Sequence, residues 1–213
     1  MDANIKKGNK ILIETVIKNL KKRNITGHYC ESAGDAAAAV ISLIEEGSEV
    51  SWGGSVTLSE TGIKDAVKRG NYKVIDPMDP GSAEITLELR RMALTCDVFL
   101  CSANAVTIDG VIVNIDGTGN RTAAIAFGPK KVIFVVGVNK IVADENAAVS
   151  RIKTNACPAN CIRLDRKTPC AITGKCGNCL SVGNTICSYT LSTRFSPETD
   201  RMHVVFVNDW LGY

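Results

Sequence analysis

A mainly parallel α/β sheet covered by helices is the fold that the sequence predicts, and three observations predict it. Strand-like and helix-like periods alternate along the first 156 residues. The runs Cys96–Ser102 and Lys131–Gly137 are apolar enough to be buried on both faces, as parallel strands between helical layers are. One Asp-Gly pair, Asp109-Gly110, sits between two apolar stretches (residues 105–115) and predicts a single antiparallel hairpin.

The elements follow in order. Ile13, Val16, Ile17 and Leu20 recur at helical spacing within residues 5–23, with Gly27 as a stop signal. A short extended piece at 27–30 leads to an alanine-rich helix at 33–46, opened by Asp35 as N-cap and closed by Gly47. Glu49–Trp52 reads as a strand, 57–69 as a helix ending at Gly70, and Lys73–Asp76 as a strand. Residues 82–94 read as a helix after a Pro80-Gly81 turn, and 144–156 as another. His203–Asn208 closes the sheet. The chain reads as one domain over 1–213. Its cysteine-rich stretch, 157–187, is an insertion without periodicity of its own, and an irregular segment that long requires a staple.

Composition excludes several classes. Lysine and arginine number 25 against 22 acidic residues, and aromatics make up 5% of the chain, so no nucleic-acid surface is implied. The longest strongly apolar run, Val132–Val138, is far short of the roughly 20 residues a spanning helix needs, which predicts no membrane insertion. Lys18, Lys21, Lys22 and Arg23 complement the dipole at the end of the first helix. The opening MDANIKKGNK lacks the apolar core of a secretory signal, so a cytoplasmic location is expected, where structural disulfides are rare.

Six of the nine cysteines lie in the last third, and Cys170, Cys176, Cys179 and Cys187 follow the pattern C-x5-C-x2-C-x7-C. A tight Cys176-Gly-Asn-Cys179 turn can aim two thiolates at one ion, with Cys170 and Cys187 completing a four-sulfur shell. Zinc or an iron–sulfur cluster is the expected cofactor, and spacing does not choose between them. Redox-labile thiols and plain buried thiols are the alternatives; Cys157 and Cys161 are left as spare ligands, a redox pair or bystanders. Cys30, Cys96 and Cys101 lie in or beside apolar runs and read as small hydrophobes.

Two polar loops carry the remaining chemistry. Gly53-Gly54-Ser55 runs from a strand into a helix, so backbone N–H groups converge where a phosphate or carboxylate can approach. Ser55 and Thr57 offer hydroxyl donors. The second loop, 114–121, combines Asp116, Gly117, Gly119, Asn120 and Arg121, and Arg121 is the expected clamp for an anionic substrate. The competing role for Arg121 is a salt bridge to Asp116 that pins the loop. Asn104 follows a predicted parallel strand, at the end where open α/β sheets bind ligands. Glu60, on the first turn after the glycine loop, is the candidate catalytic carboxylate, as general base or nucleophile; an acid at a helix start is also favoured by the dipole alone. His28 and His203, at predicted strand edges, read as structural, and a serine hydrolase lacks both its base and its G-x-S-x-G elbow.

Taken together, the segments 52–62 (WGGSVTLSETG), 96–105 (CDVFLCSANA) and 114–121 (NIDGTGNR) resemble the lactate utilisation (LUD) domain family, in its short, cysteine-bearing members. The entry to the strand at 127–137 and the closing 207–213 also look like that family. The resemblance implies a three-layer α/β fold related to the sugar-phosphate isomerases, glucosamine-phosphate deaminases and CoA transferases. It makes Gly53, Gly54 and Ser55 ligand-loop residues, with Asn104, Asp116, Gly117, Gly119, Asn120 and Arg121 as the opposing wall. It further implies a small anionic metabolite as ligand, a link to L-lactate or related organic-acid use, and iron–sulfur partner proteins. The chain lacks the repeated C-x2-C-x2-C-x3-C module of larger members, so an accessory role fits better than a complete dehydrogenase. The alternatives are a redox or scaffolding subunit without its own catalysis, and an enzyme like the isomerases or CoA transferases.

Overall fold

The computed structural model describes residues 1–78 and 81–213. The expected turn at Pro80-Gly81 rests on Pro80, which lies outside the described residues. Helix α1 spans Ala3–Lys22, with the Asp2 carboxylate accepting the N–H groups of Asn4 and Ile5 at its start. It stops at Arg23, followed by Asn24 in the left-handed region, so Gly27 belongs to the first strand, β1 (Thr26–Cys30), and does not end the helix. Helix α2 (Ala33–Ser42) is capped by Ser32. Asp35, expected as the N-cap, instead closes a capping box as its third residue, its carboxylate accepting the Ser32 N–H.

After β2 (Glu49–Trp52), the single helix expected over 57–69 is two, α3 (Val56–Glu60) and α4 (Ile63–Arg69). Gly62 separates them with φ +65°, a conformation glycine adopts at no steric cost. The break lets Leu58 on one helix and Ile63 and Val67 on the other all reach the same core. Next come β3 (Lys73–Ile75), α5 (Ala83–Met92) and β4 (Val98–Cys101). The hairpin strands β5 (Ala105–Thr107) and β6 (Ile112–Asp116) pair antiparallel as expected, with Gly110 at φ +93° in the turn. Helix α6 (Asn120–Ala126) then leads to β7 (Lys131–Gly137).

The remaining elements are β8 (Ile141–Val142), α7 (Glu145–Arg151), α8 (Cys157–Arg163), α9 (Pro169–Thr173), β9 (Tyr189–Thr193) and β10 (Met202–Val207). A π-helical turn, Ile152–Ala156, joins α7 to α8 without interrupting the helical path. The cysteine-rich stretch is therefore not an irregular insertion at its start: Cys157 and Cys161 sit on a helix that continues from α7, and Cys170 on another.

Six strands form a parallel sheet in the order β1-β10-β7-β4-β2-β3. Alternation along β7 shows the layering. Val132, Phe134 and Val136 join the core shared with α1 and α6, while Ile133 and Val135 join the core shared with α2, α3 and α4. This is the three-layer α/β arrangement. A second sheet, β8-β5-β6-β9, is mixed. Its Val106 and Ile112 face the main core, and Ala105, Val111 and Val113 pack with Ala148, Ile152 and Cys157 on the other side. His28 and His203 fill neighbouring strands with ring nitrogens 3.1 Å apart, and burial lowers the pKa of both, in keeping with structural roles. Among the described residues no helix is long and apolar enough to cross a membrane.

Candidate functional site

The parallel strands β2, β4 and β7 all deliver their C-terminal ends to one edge, where the chain emerges as Gly53, Ser102 and Val138. In an open α/β sheet this edge is where ligands are received. Here it carries an open cavity of about 410 Å³, mouth included, lined among others by Gly54, Ser55, Ser102, Asn104, Arg121 and Lys140. A second cavity of about 870 Å³ adjoins it, sharing Gly54, Arg121, Asn160 and Arg163.

The glycine turn is built for close approach. A side chain at Gly53 would meet the Arg121 stem at 3.3 Å, so glycine lets the guanidinium arm lie across the turn. Ser55 is the N-cap of α3, its hydroxyl accepting the Leu58 N–H at 3.3 Å. Helix α3 has five residues, too short for the helix-terminus anion site the sequence implied. The positive character of the pocket comes from side chains.

Arg121 does not pair with Asp116. The Asp116 carboxylate instead accepts the backbone N–H groups of Gly117, Arg121 and Thr122, fixing the loop at the start of α6. The Arg121 guanidinium donates through Nη2 to the Asn104 side-chain oxygen at 2.9 Å and to the Ile115 carbonyl. Its Nε is buried and has no hydrogen-bond partner among the described residues. Asn104 also accepts the Ile115 N–H at 2.9 Å, so this one amide aligns both the β6 end and the guanidinium. Gly117 and Asn120 line the larger cavity; Gly119, at φ +85°, is the N-cap of α6 and packs against Tyr189.

Lys140 is the residue that the sequence reading missed. It is 3% exposed, and its Nζ donates to the hydroxyls of Thr57 and Ser102, each at 2.9 Å. Burial, with Arg151 and Arg121 close by, pushes its pKa down to about 7. Arg151 is tied by hydrogen bonds to the carbonyls of Asn139 and Asn104, so the cationic surroundings of Lys140 are fixed. A lone lysine after an apolar strand carries no motif. Its one signal was position, three residues past the end of β7 on the ligand-receiving edge.

Glu60 ends α3 and does not begin it. Its carboxylate accepts the Gly212 N–H at 2.7 Å, and it is not among the residues lining either cavity. The cysteines divide differently from their spacing. Cys157 and Cys187 bring their sulfurs to 3.2 Å, and Cys161 and Cys170 to 3.6 Å, whereas Cys179 faces the Thr185 hydroxyl. A tetrahedral zinc with Zn–S near 2.3 Å has sulfur edges of about 3.8 Å, so the Cys161–Cys170 pair comes near that spacing and the Cys157–Cys187 pair is shorter than it. Cys170, Cys176, Cys179 and Cys187 as placed do not form a ready cage, and among the described residues no three or more His, Cys, Asp or Glu are grouped to hold a metal. Cys96 and Cys101 are buried hydrophobes with thiol pKa values pushed up to about 12.

Comparison with known proteins fits this architecture. The fold is similar to the crystal structure of a DUF162 family protein from Deinococcus radiodurans, with a TM-score of 0.55 and 14% identity, covering 93% of this chain and 98% of that one. No curated protein matches the sequence. Residues 13–207 match the family model of the LUD domain. The chain thus belongs to the LUD domain family, which is related to lactate utilisation.

Proposed function

We propose that this LUD-domain protein binds a small anionic metabolite, a carboxylate of the lactate and pyruvate class, at the edge formed by Gly53–Ser55, Ser102–Asn104, Arg121 and Lys140. The observation that carries the reading is the convergence of the Arg121 guanidinium and the buried Lys140 amine on one cavity beside a glycine turn, with a buried Arg121 Nε that has no partner among the described residues. Guanidinium groups match carboxylates through paired N–H donors, and a desolvated site strengthens that attraction. Family membership favours an organic acid over other anions. Asp116 and Asn104 act as positioning residues, and Glu60 serves the C-terminal segment. Titration calorimetry with L-lactate, pyruvate and inorganic phosphate tests the reading: saturable heat with the carboxylates is expected, and no heat with any of the three would overturn it.

A second reading concerns the cysteine segment. Six cysteines in one stretch, two pairs of them in sulfur contact, support zinc or iron–sulfur binding there, with Cys170, Cys176, Cys179 and Cys187 as spacing implies or with Cys157 and Cys161 substituting. Binding would have to draw the thiols together, since no cage is preassembled, and an iron–sulfur partner protein would dock at this segment. Metal analysis and an absorption spectrum of anaerobically purified protein decide it. Stoichiometric zinc, or iron with sulfide, is expected; metal-free protein removes the reading.

A further inference from the structure

We propose that Lys140 is a nucleophile that condenses reversibly with the keto group of a small α-keto acid whose carboxylate is held at Arg121. This rests on the carboxylate-site reading above, and adds the ligand class and a covalent step.

Three features of Lys140 set it apart from a structural lysine. Its amine is almost fully buried, yet the described residues give it no carboxylate in ion-pair contact, and both of its partners are neutral hydroxyls. An unpaired buried ammonium is costly, so a lysine kept only for packing would be expected to carry a counter-charge or be replaced by an apolar residue. Arg151 and Arg121 disfavour the ammonium further, the Glu60 carboxylate and Cys101 act in the opposite sense, and burial prevails, so the amine titrates near neutrality. Desolvation beside another cation is one of the recognised ways to make a lysine nucleophilic at neutral pH.

The hydroxyls of Thr57 and Ser102 suit both protonation states. Each accepts from an N–H of the ammonium, and each can turn its own proton towards the lone pair of the neutral amine. Both hydroxyls line the same cavity as Arg121 and Lys140, and that cavity opens at the end of β4, where Ser102 holds the Lys140 amine and Asn104 holds the Arg121 guanidinium. An acid gripped by Arg121 through its carboxylate is thereby offered an amine for the adjacent carbonyl carbon.

The step balances without a redox partner. The Lys140 Nζ lone pair forms a bond to the keto carbon, and the carbonyl oxygen takes up a proton to give a carbinolamine. Loss of that oxygen as water, with the second amine proton, leaves an imine, and hydrolysis reverses it. No electrons are gained or lost overall. L-Lactate, with a hydroxyl in place of the keto group, binds through its carboxylate alone.

The test is reductive trapping on the full-length protein. Protein is incubated with pyruvate and sodium cyanoborohydride, in parallel with L-lactate and with hydride alone, and adducts are mapped by peptide mass spectrometry while pyruvate binding is measured by calorimetry. The expected result is one pyruvate-dependent adduct on Lys140, absent with L-lactate, with trapping that rises as pH passes through about 7. Surface lysines, with an ordinary value of 10.5, label only at higher pH and set the background. Lys140→Arg should abolish the adduct; where that variant fails to fold, the pH profile of the wild-type adduct decides. Pyruvate bound with no adduct at Lys140, or labelling no greater there than on the surface, overturns the covalent step and leaves the carboxylate site standing. Absence of binding by pyruvate and lactate alike overturns both.

Discussion

Arg121→Ala is expected to weaken carboxylate binding by about 10- to 150-fold while the protein stays folded, because hydrogen bonds to a charged group are worth about 1.5–3 kcal/mol and each 1.4 kcal/mol is roughly tenfold. The guanidinium spans the gap between the β6 end and the cavity, anchored by Asn104 and the Ile115 carbonyl, so a ligand meets a donor that is already oriented. Arg121→Lys keeps the charge and loses the planar fork, and should fall between the wild type and alanine. Calorimetry with pyruvate measures all three. An alanine variant that folds and binds every acid as tightly as the wild type would remove Arg121 from the site.

Lys140→Met is expected to change how stability depends on pH. In the folded protein the amine titrates near 7, while the unfolded chain holds the same proton up to about 10.5. Between those values the unfolded state binds more protons, so wild-type stability rises with pH across that window; below about 7 both states are charged and the full cost of the buried ammonium applies. The variant lacks this term, and every other titrating group is common to both proteins. The wild type should therefore gain on the order of 4 kcal/mol relative to Lys140→Met between pH 6 and 10, an upper figure since local relaxation shrinks it. Chemical denaturation of both proteins across that range measures the difference, and parallel curves would show the amine to be an ordinary lysine. The variant should also lose pyruvate trapping, so that the costly group is the working one.

The parallel core was legible because burial on two faces leaves continuous β-branched runs. Lys131–Gly137 matched its strand residue for residue, and Glu49–Trp52 likewise. Caps were less legible. Ser32 and Asp35 both qualify as caps by type, and only the capping box tells which stands outside the helix. The helix break at Gly62 had a signal in the Thr-Gly pair, but apolar periodicity carried through it. Strand β8 is two residues long and β9 reads Tyr-Thr-Leu-Ser-Thr with one buried residue, so neither gives a pattern against its surroundings.

At the site, the Gly53–Ser55 turn, Asn104 and Arg121 were found together from loop composition and strand ends; Gly54, Ser55, Asn104 and Arg121 line one cavity and Gly53 the one that adjoins it. Glu60 was misplaced because its role was read from a helix expected over 57–69, whereas α3 begins one residue earlier and ends at Glu60 itself. The cysteine spacing favoured the Cys176–Cys179 turn. The sequence leaves Cys157 and Cys161 open; their spacing of four on a helical stretch puts them on one face, each close to a thiol from the chain that follows. Lys140 is illegible from local sequence, because what distinguishes it is a pair of hydroxyls 83 and 38 residues away.

A crystal structure of the protein with saturating pyruvate tests the central claim most directly. The account predicts the acid in the cavity at the ends of β2, β4 and β7, its carboxylate within hydrogen-bonding distance of Arg121 and its keto carbon facing the Lys140 amine. Pyruvate bound elsewhere, or the cavity filled with water at saturation while Arg121 keeps only Asn104 and Ile115, would contradict it.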